Sequence, residues 1–455
     1  MSVRFRRLSR VHSVFRCALW FLVLPAASPA SPAPELPRPL TLERATSYAL
    51  EHSPALREVR EAIAQQQGVL LEASARRLPE VGVGASYRYT EPRQFEGIPG
   101  FDFVPLPNSN AWQIGVAIRQ VVYSGGSVAA QHRSAQDRLE AARSTLTGAI
   151  NRTIFAVQRD FFDVLLARRE IEVHEAALQV LENEAEQARV RRRAGTGSDF
   201  DVLRAEVAVA NARPALVRAR NAIHASQDAL RAELGAAVEP GDTIATDLDV
   251  QGDLAMPPLP LSLSEAVHAA RQHRPELSAG EQAIAADRAD VEFAKSGRRP
   301  QVSLVGGYSV RKASYANSLG STLNGLALGA QVDWSIFDGK ATQARVNQAA
   351  ARTAQAIAAR DELRLQIDLQ VRNAYRAVGE ASDLLTSAEK GVGQAEESLR
   401  LARVRLTAGT ANQLEVLAAQ SALTDARSNL SQAQHDCAVS TARLLQATGL
   451  TTIAN

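Results

Sequence analysis

The sequence is short of the residues that build metal centres, disulfide scaffolds and catalytic clusters. It has two cysteines in 455 residues, Cys17 and Cys437, too few for a disulfide framework. Its eight histidines include no His-Glu-x-x-His pair and no metal-spaced cluster with cysteine. No nucleophile–base arrangement and no phosphate-cradling glycine loop stand out, so the chain reads as neither an enzyme nor a holder of metal or cofactor. Aromatics make up 5% of the residues while alanine recurs throughout, the composition of closely packed helices rather than of a thick globular core. A formal net charge of +2 leaves no basic footprint for nucleic acid. The apolar run "CALWFLVLPAA" at Cys17 is too short to cross a bilayer as a helix.

That run has a different meaning. Arg4, Arg6, Arg7, Arg10 and Arg16 precede it, and Ser28 and Ala30 follow as small residues at cleavage spacing. Basic, then apolar, then small is the order of a secretory signal peptide, here residues 1–30, followed by a Pro-rich leader over 31–40. The expected product is exported and, without those five arginines, carries a charge of about −3. "VFRC" is not a lipobox, so no lipid anchor is expected. Cys437 is then the only thiol and reads as a small helix residue.

The chain repeats itself. "ARVRRRAGTGSDFDVLRAE" from Ala188 returns as "ARVRLTAGTANQLEVLAAQ" from Ala402, 214 positions later, and Gly235 returns as Gly449. Upstream the offset is 221: Leu40 matches Leu261, Pro54 matches Pro275, Pro79 matches Pro300 and Tyr87 matches Tyr308. This is a tandem duplication, with repeats over 41–235 and 261–449 and a linker over 236–260. Each repeat reads as a helix (Leu42 to Leu78 in the first), a β-hairpin (81–123 or 301–337) and a long helix (128–194 or 341–408). A tight turn (195–198 or 409–412) and a returning helix (198–235 or 412–448) complete it. No proline interrupts 128–194, and Ile150, Ile154, Val157, Phe161 and Val164 recur at helical spacing. Such a helix reaches about 100 Å at roughly 1.5 Å per residue. Gly195 and Gly409 stand where a helix end wants a left-handed residue, with Thr196, Ser198, Asp199, Thr410 and Asn412 as N-cap candidates.

The strands alternate cleanly. Val81, Val83, Ala85, Tyr87 and Tyr89 alternate with Gly82, Gly84, Ser86, Arg88 and Thr90, and Trp112, Ile114, Val116 and Ile118 with Gln113, Gly115, Ala117 and Arg119. In the second repeat Val302, Leu304, Tyr308 and Val310 form one set, and Leu326, Leu328, Val332, Trp334 and Ile336 another, each against small or polar residues. Segments of about ten residues with aromatics near their ends suit membrane strands, although a half-buried strand of a soluble sheet alternates likewise. Four strands cannot close a spanning barrel, and open edges are forbidden in lipid. A barrel shared by three chains would have twelve.

The duplication, the strand-to-helix passages "RQVVYSGG" (Arg119 to Gly126) and "VDWSIFDGK" (Val332 to Lys340), and the paired turns "AGTGSDFDVL" and "AGTANQLEVL" together resemble the TolC-like outer membrane efflux proteins from Leu40 to Leu450. The resemblance implies a mainly α fold with a small membrane β part: a homotrimer with a shared 12-stranded barrel in outer membrane lipid and a helical tunnel in the periplasm. It implies a passive efflux duct whose tips, at Gly195, Thr196, Gly409 and Thr410, meet a periplasmic adaptor joined to an inner-membrane RND or ABC pump. It places Glu415 at the position of the family's constriction carboxylate and Asp201 at that of an acidic link partner. The sequence departs at Leu406, Ala411 and Ala418, where the family often has tyrosine, arginine and a second acid, which leaves Arg191 to Arg193, Arg403 and Arg405 as available basic groups. Two alternatives stay open: the outer membrane component of a type I protein secretion system, and a soluble periplasmic coiled-coil tether. "GVG" at Gly391 reads as a bend or a close helix contact, and His268 and His273 as surface residues.

Overall fold

The structure, a computed structural model, describes residues 36–90, 109–236, 248–255, 261–312 and 322–451. The segment expected to be a signal peptide and most of the expected leader lie outside these residues, as do parts of the linker and the segments joining β-hairpin strands.

Among the described residues twelve elements fall into two copies of one pattern. The first repeat holds α1 (Leu42–His52), α2 (Pro54–Ala75), β1 (Glu80–Thr90), β2 (Ser109–Tyr123), α3 (Ser127–Arg193) and α4 (Asp199–Leu234); the second holds α5 (Leu263–His273), α6 (Pro275–Ser296), β3 (Gln301–Lys312), β4 (Thr322–Asp333), α7 (Ala341–Thr407) and α8 (Gln413–Thr448). The two rods, α3 and α7, have 67 residues each. Helices α1, α2, α4 and α6 all pack along α3, α1 and the end of α4 meeting it around Phe161.

The expected helix from Leu42 to Leu78 is two helices. Ser53 takes ψ 127 and Pro54 opens α2, because the pyrrolidine ring removes an amide donor and pushes the preceding residue out of the α region. Arg274 and Pro275 repeat the break between α5 and α6. Trp334 and Ile336 were expected in β4, but the strand stops at Asp333, opposite Gln301. Pro300 precedes Gln301 and has no N–H to extend the ladder.

The four strands form one antiparallel meander in the order β1-β2-β3-β4. Its register joins the alternating sets: Val83 lies opposite Val116, Val116 opposite Tyr308 and Tyr308 opposite Leu326. One face is therefore apolar across all four strands, and the other carries Gly84, Gly115, Ser309 and Gly325 in line. The apolar face is not a core, since Val83 is 75% and Leu328 79% exposed. In the single chain β1 and β4 are edge strands.

The core lies among the helices. Its main cluster gathers Phe161, Phe162, Leu230, Leu234, Ala49 and Leu40, with Leu40 bridged in parallel to Val250 of the linker. Farther along each helical hairpin the clusters are small: Ala185, Ala188 and Ala205 between α3 and α4, and Leu399, Ala402, Val416, Ala419 and Leu423 between α7 and α8. Alanine there allows close helix approach but buries little area per residue.

Candidate functional site: the hairpin tips and the seam between them

Both rods end in the same turn. Gly195 and Gly409 adopt φ +74, a left-handed conformation that glycine enters without a Cβ penalty. The Gly195 and Thr196 amides donate to the Arg192 and Arg191 carbonyls at 3.0 Å, and the Gly409 and Thr410 amides to Leu406 and Arg405 at 3.1 and 2.9 Å. This is the paired bonding of a Schellman end, which satisfies carbonyls that the helix leaves open. The Thr196 and Thr410 hydroxyls add bonds of 3.2 Å to the Arg191 and Arg405 carbonyls. Neither glycine has an atom within 4 Å of where a Cβ would stand, so the tips are open around them.

The returning helices start differently. Ser198 caps α4: its hydroxyl accepts from the Asp201 amide at 3.1 Å and donates to the Asp201 carboxylate at 2.7 Å. That reciprocal box holds Asp201 below the usual carboxylate range, chiefly through the Ser198 hydroxyl, with Arg191 and Arg204 adding to it. Asn412 caps α8 by accepting from the Glu415 amide at 3.1 Å. The Glu415 carboxylate, 39% exposed, instead reaches Arg405 on α7 at 3.1 Å. Glu415 occupies the repeat equivalent of the Asp201 position, so the two acids expected at the constriction stand at matching first-turn sites with different partners.

A buried polar cluster joins the two hairpins. Arg191 Nη2 donates to Gln413 Oε1 at 2.5 Å, Gln413 Nε2 donates to Glu184 Oε2 at 3.2 Å, and Arg403 Nε lies 3.7 Å from Glu184 Oε1. Glu184 is 6% and Gln413 4% exposed. Of the basic groups expected near the tip, Arg191 and Arg403 serve this link and Arg405 serves Glu415. Arg192 pairs with Asp199, and Arg193 with Glu186 at 3.0 Å. Sequence reasoning missed Glu184 and Gln413. One signal was present: Gln413 replaces the acid that its repeat equivalent, Asp199, keeps.

Away from the tip, α8 continues along α3 with further polar rungs. Ser428 Oγ donates to Glu170 Oε2 at 2.8 Å, His435 Nε2 lies 2.7 Å from Asp163 Oδ1, and the Arg443 guanidinium sits 5.9 Å from the Phe155 ring. His435 is buried, and its Nδ1 meets Asp436 Oδ1 at 3.0 Å. Burial opposes charge on the ring, yet hydrogen bonds to the two carboxylates outweigh it and raise its pKa. Between the tip cluster and these rungs α3, α7 and α8 enclose an open groove of about 420 Å³ lined by Val173, Ala177, Leu399, Arg403 and Leu423. Among the described residues no three His, Cys, Asp or Glu side chains could hold a metal, and no helix is long and apolar enough to cross a membrane.

The model of the family described as outer membrane efflux protein matches residues 45–236 and 266–450. Protein CyaE of Bordetella pertussis is 28% identical over 405 residues, covering 89% of this chain and 83% of its own. Outer membrane efflux protein BepC of Brucella suis is 24% identical over 351 residues, covering 74% and 72%. Among solved structures the CmeC outer membrane channel of Campylobacter jejuni superposes with a TM-score of 0.79 at 14% identity, over 90% of this chain and 85% of that one.

Proposed function

Because this chain belongs to the outer membrane efflux protein family and lies in the outer membrane with a helical extension into the periplasm, we propose that three copies form one passive export duct. The observation that carries this reading is the sheet: four strands, two unpaired edges and one continuous exposed apolar face. Lipid forbids open edges. Two copies would give eight strands, whose interior side chains nearly fill, whereas three give twelve and leave a lumen. Six helical hairpins then continue that lumen, and their tips, at Gly195, Thr196, Gly409 and Thr410, meet a periplasmic adaptor coupled to an RND or ABC pump in the inner membrane. The name of BepC supports efflux as the task. Three Glu415 carboxylates converge at the periplasmic end and favour cations there, while Asp201 anchors its own helix start. Native mass measurement in detergent should give three chains, and planar bilayers should show discrete conductance steps. A single chain that inserts stably and conducts would sink the proposal.

A further inference from the structure

Each repeat places a pair of arginines just before its first strand. Arg76 and Arg77 precede Leu78 and Pro79, and Arg298 and Arg299 precede Pro300. All four are exposed, and both turns stand at the helical end of the sheet, where β1 and β3 begin. Side chains from the apolar side of the sheet hold these turns. Gln120, in step with Ile114, Val116 and Ile118 along β2, donates through Nε2 to the Arg77 carbonyl at 3.1 Å. Trp334, two residues after Val332 at the end of β4, donates through Nε1 to the Arg298 carbonyl at 3.1 Å. One basic turn therefore borders each β-hairpin on the side of its apolar face.

The charge of these turns is largely uncompensated. The side chains of Arg77 and of Lys340, the residue before α7, have no hydrogen-bond or ion-pair partner among the described residues. The Arg298 and Arg299 guanidinium groups donate to neutral oxygens, the Gln343 amide and, at 3.1 Å, the Gly125 carbonyl. Acids of the same region are engaged: Glu292 by Lys295 at 2.8 Å, Asp338 by the Thr342 amide at 2.7 Å, and Glu72 by Arg76 at 3.8 Å. Glu80 stands on the opposite face of the sheet, across from Arg119. Large apolar side chains accompany the cations. Leu78 is 66%, Ile336 85% and Phe337 83% exposed. Aromatic and aliphatic groups beside basic ones suit the boundary between hydrocarbon and charged headgroups.

We propose that the two turns form a collar that binds the phosphate headgroups of anionic phospholipid, through Arg77 at the first hairpin and Arg298, Arg299 and Lys340 at the second. The helices extend into the periplasm, so the helical end of the sheet meets the periplasmic leaflet. A guanidinium matches phosphate oxygens with two parallel N–H donors, and Lys340 adds a point charge. Ile336 and Phe337 meet the upper acyl carbons, continuing the apolar face of the sheet. Zwitterionic lipid offers the same phosphate beside a cation of its own, which four basic side chains repel.

The inference rests on the apolar sheet face meeting lipid, as it does in the proposed duct, and one experiment separates their failures. Full-length protein carrying Trp112→Phe, purified from outer membranes, keeps Trp334 as the reporter among the described residues. It is reconstituted in phosphatidylcholine, a rising fraction of which is replaced by phosphatidylglycerol or phosphatidylcholine brominated on the upper acyl carbons. Each basic residue near an anionic surface strengthens attraction roughly fivefold. Brominated phosphatidylglycerol should therefore reach half-maximal quenching at a mole fraction at least about fivefold lower than brominated phosphatidylcholine. Combining Arg298→Gln, Arg299→Gln and Lys340→Gln should make the two curves coincide. Lys340→Gln alone, which removes no hydrogen bond among the described residues, should bring them partway together. Coincident curves for the native collar, or an unchanged preference in both variants, overturn the collar alone. No quenching by either lipid overturns the lipid-facing sheet, and the duct with it.

Discussion

The two hairpin tips share a backbone and differ in wiring. Gly195 and Gly409 have the same φ, and the Thr196 and Thr410 hydroxyls make the same bond at the same length. The divergence begins three residues on. The Ser198 hydroxyl both accepts from the Asp201 amide and donates to the Asp201 carboxylate, whereas at Asn412 the side-chain oxygen accepts from the Glu415 amide. Glu415, one methylene longer, is left to reach Arg405. At the preceding matched position Asp199 faces its own chain end through Arg192, while Gln413 is buried against Glu184 of the other repeat. At these first-turn positions the acids Asp199, Asp201 and Glu415 pair within their own hairpins, and Gln413 alone reaches across to Arg191 and Glu184 of the other repeat. Duplication preserves a turn cheaply, because a turn needs only glycine and backbone, and leaves first-turn side chains to diverge.

The comparison breaks most severely at Gln413. A Gln413→Leu change keeps the volume but removes the amide that donates to buried Glu184 and the oxygen that accepts from Arg191. A buried group left unsatisfied costs about 1–3 kcal/mol. Asp199→Leu removes an exposed ion pair, worth about 0–1 kcal/mol. Urea unfolding should rank the two variants in that order, and single-channel conductance should rise for Gln413→Leu as the hairpins come apart. Equal midpoints would erase the distinction between the tips.

Much of this fold was legible beforehand. Turn glycines, prolines and strand alternation are local signals, and the duplication doubled each one, which is why the strand faces and hairpin ends follow from the sequence. The break at Ser53 and Pro54 was also written locally, in a proline that the helix reading passed over. The Ser198 to Asp201 box is another such signal, a serine followed by an acid three positions later. Glu184 was not legible. Its partner Gln413 lies 229 positions away, and nothing in the periodicity of α3 separates a buried glutamate from the solvated ones beside it. His435 and Asp163 were hidden for the same reason.

Gly195→Val and Gly409→Val test the shared part of the tips. Each forces a β-branched side chain into the left-handed region, at about 1–2 kcal/mol, with no added clash because space around both glycines is open. The two costs should agree, and export should fail while trimers persist. Export at the wild-type level in Gly409→Val would sink the assignment of this turn to the adaptor.

A smaller effect is expected at the seam, where a change of pH removes a proton and no heavy atom. The folded pKa of His435 is raised, despite burial, by Asp163 and Asp436. Its contribution is therefore fully present below the unfolded value of about 6.5 and is lost as pH rises through the folded value. Unfolding midpoints of the native chain should drop across that interval relative to His435→Gln, which has no titrating ring. Parallel pH profiles for the two proteins would remove the charged clamp from the account.

The smallest change in stability is expected at Glu415, and it sharpens the comparison most. Glu415→Gln loses an exposed pair with Arg405, worth about 0–1 kcal/mol, and keeps nearly the same volume, so the throat should stay as narrow as before. Its effect belongs to charge. Three carboxylates around one axis in a water-filled throat attract cations, as acidic rings do, so reversal potentials across a salt gradient should shift toward zero selectivity in the variant. Asp201→Asn alters the repeat-equivalent acid by the same chemistry. That carboxylate is already engaged by the Ser198 hydroxyl and its own helix start, so the substitution should weaken a cap worth about 0.5–2 kcal/mol and leave selectivity nearly unchanged. The decisive measurement is the pair of reversal potentials. A shift in Glu415→Gln with none in Asp201→Asn makes the second tip the charged throat. Equal shifts would mean that both first-turn acids face the lumen, and no shift in either would leave Glu415 as an exposed partner of Arg405.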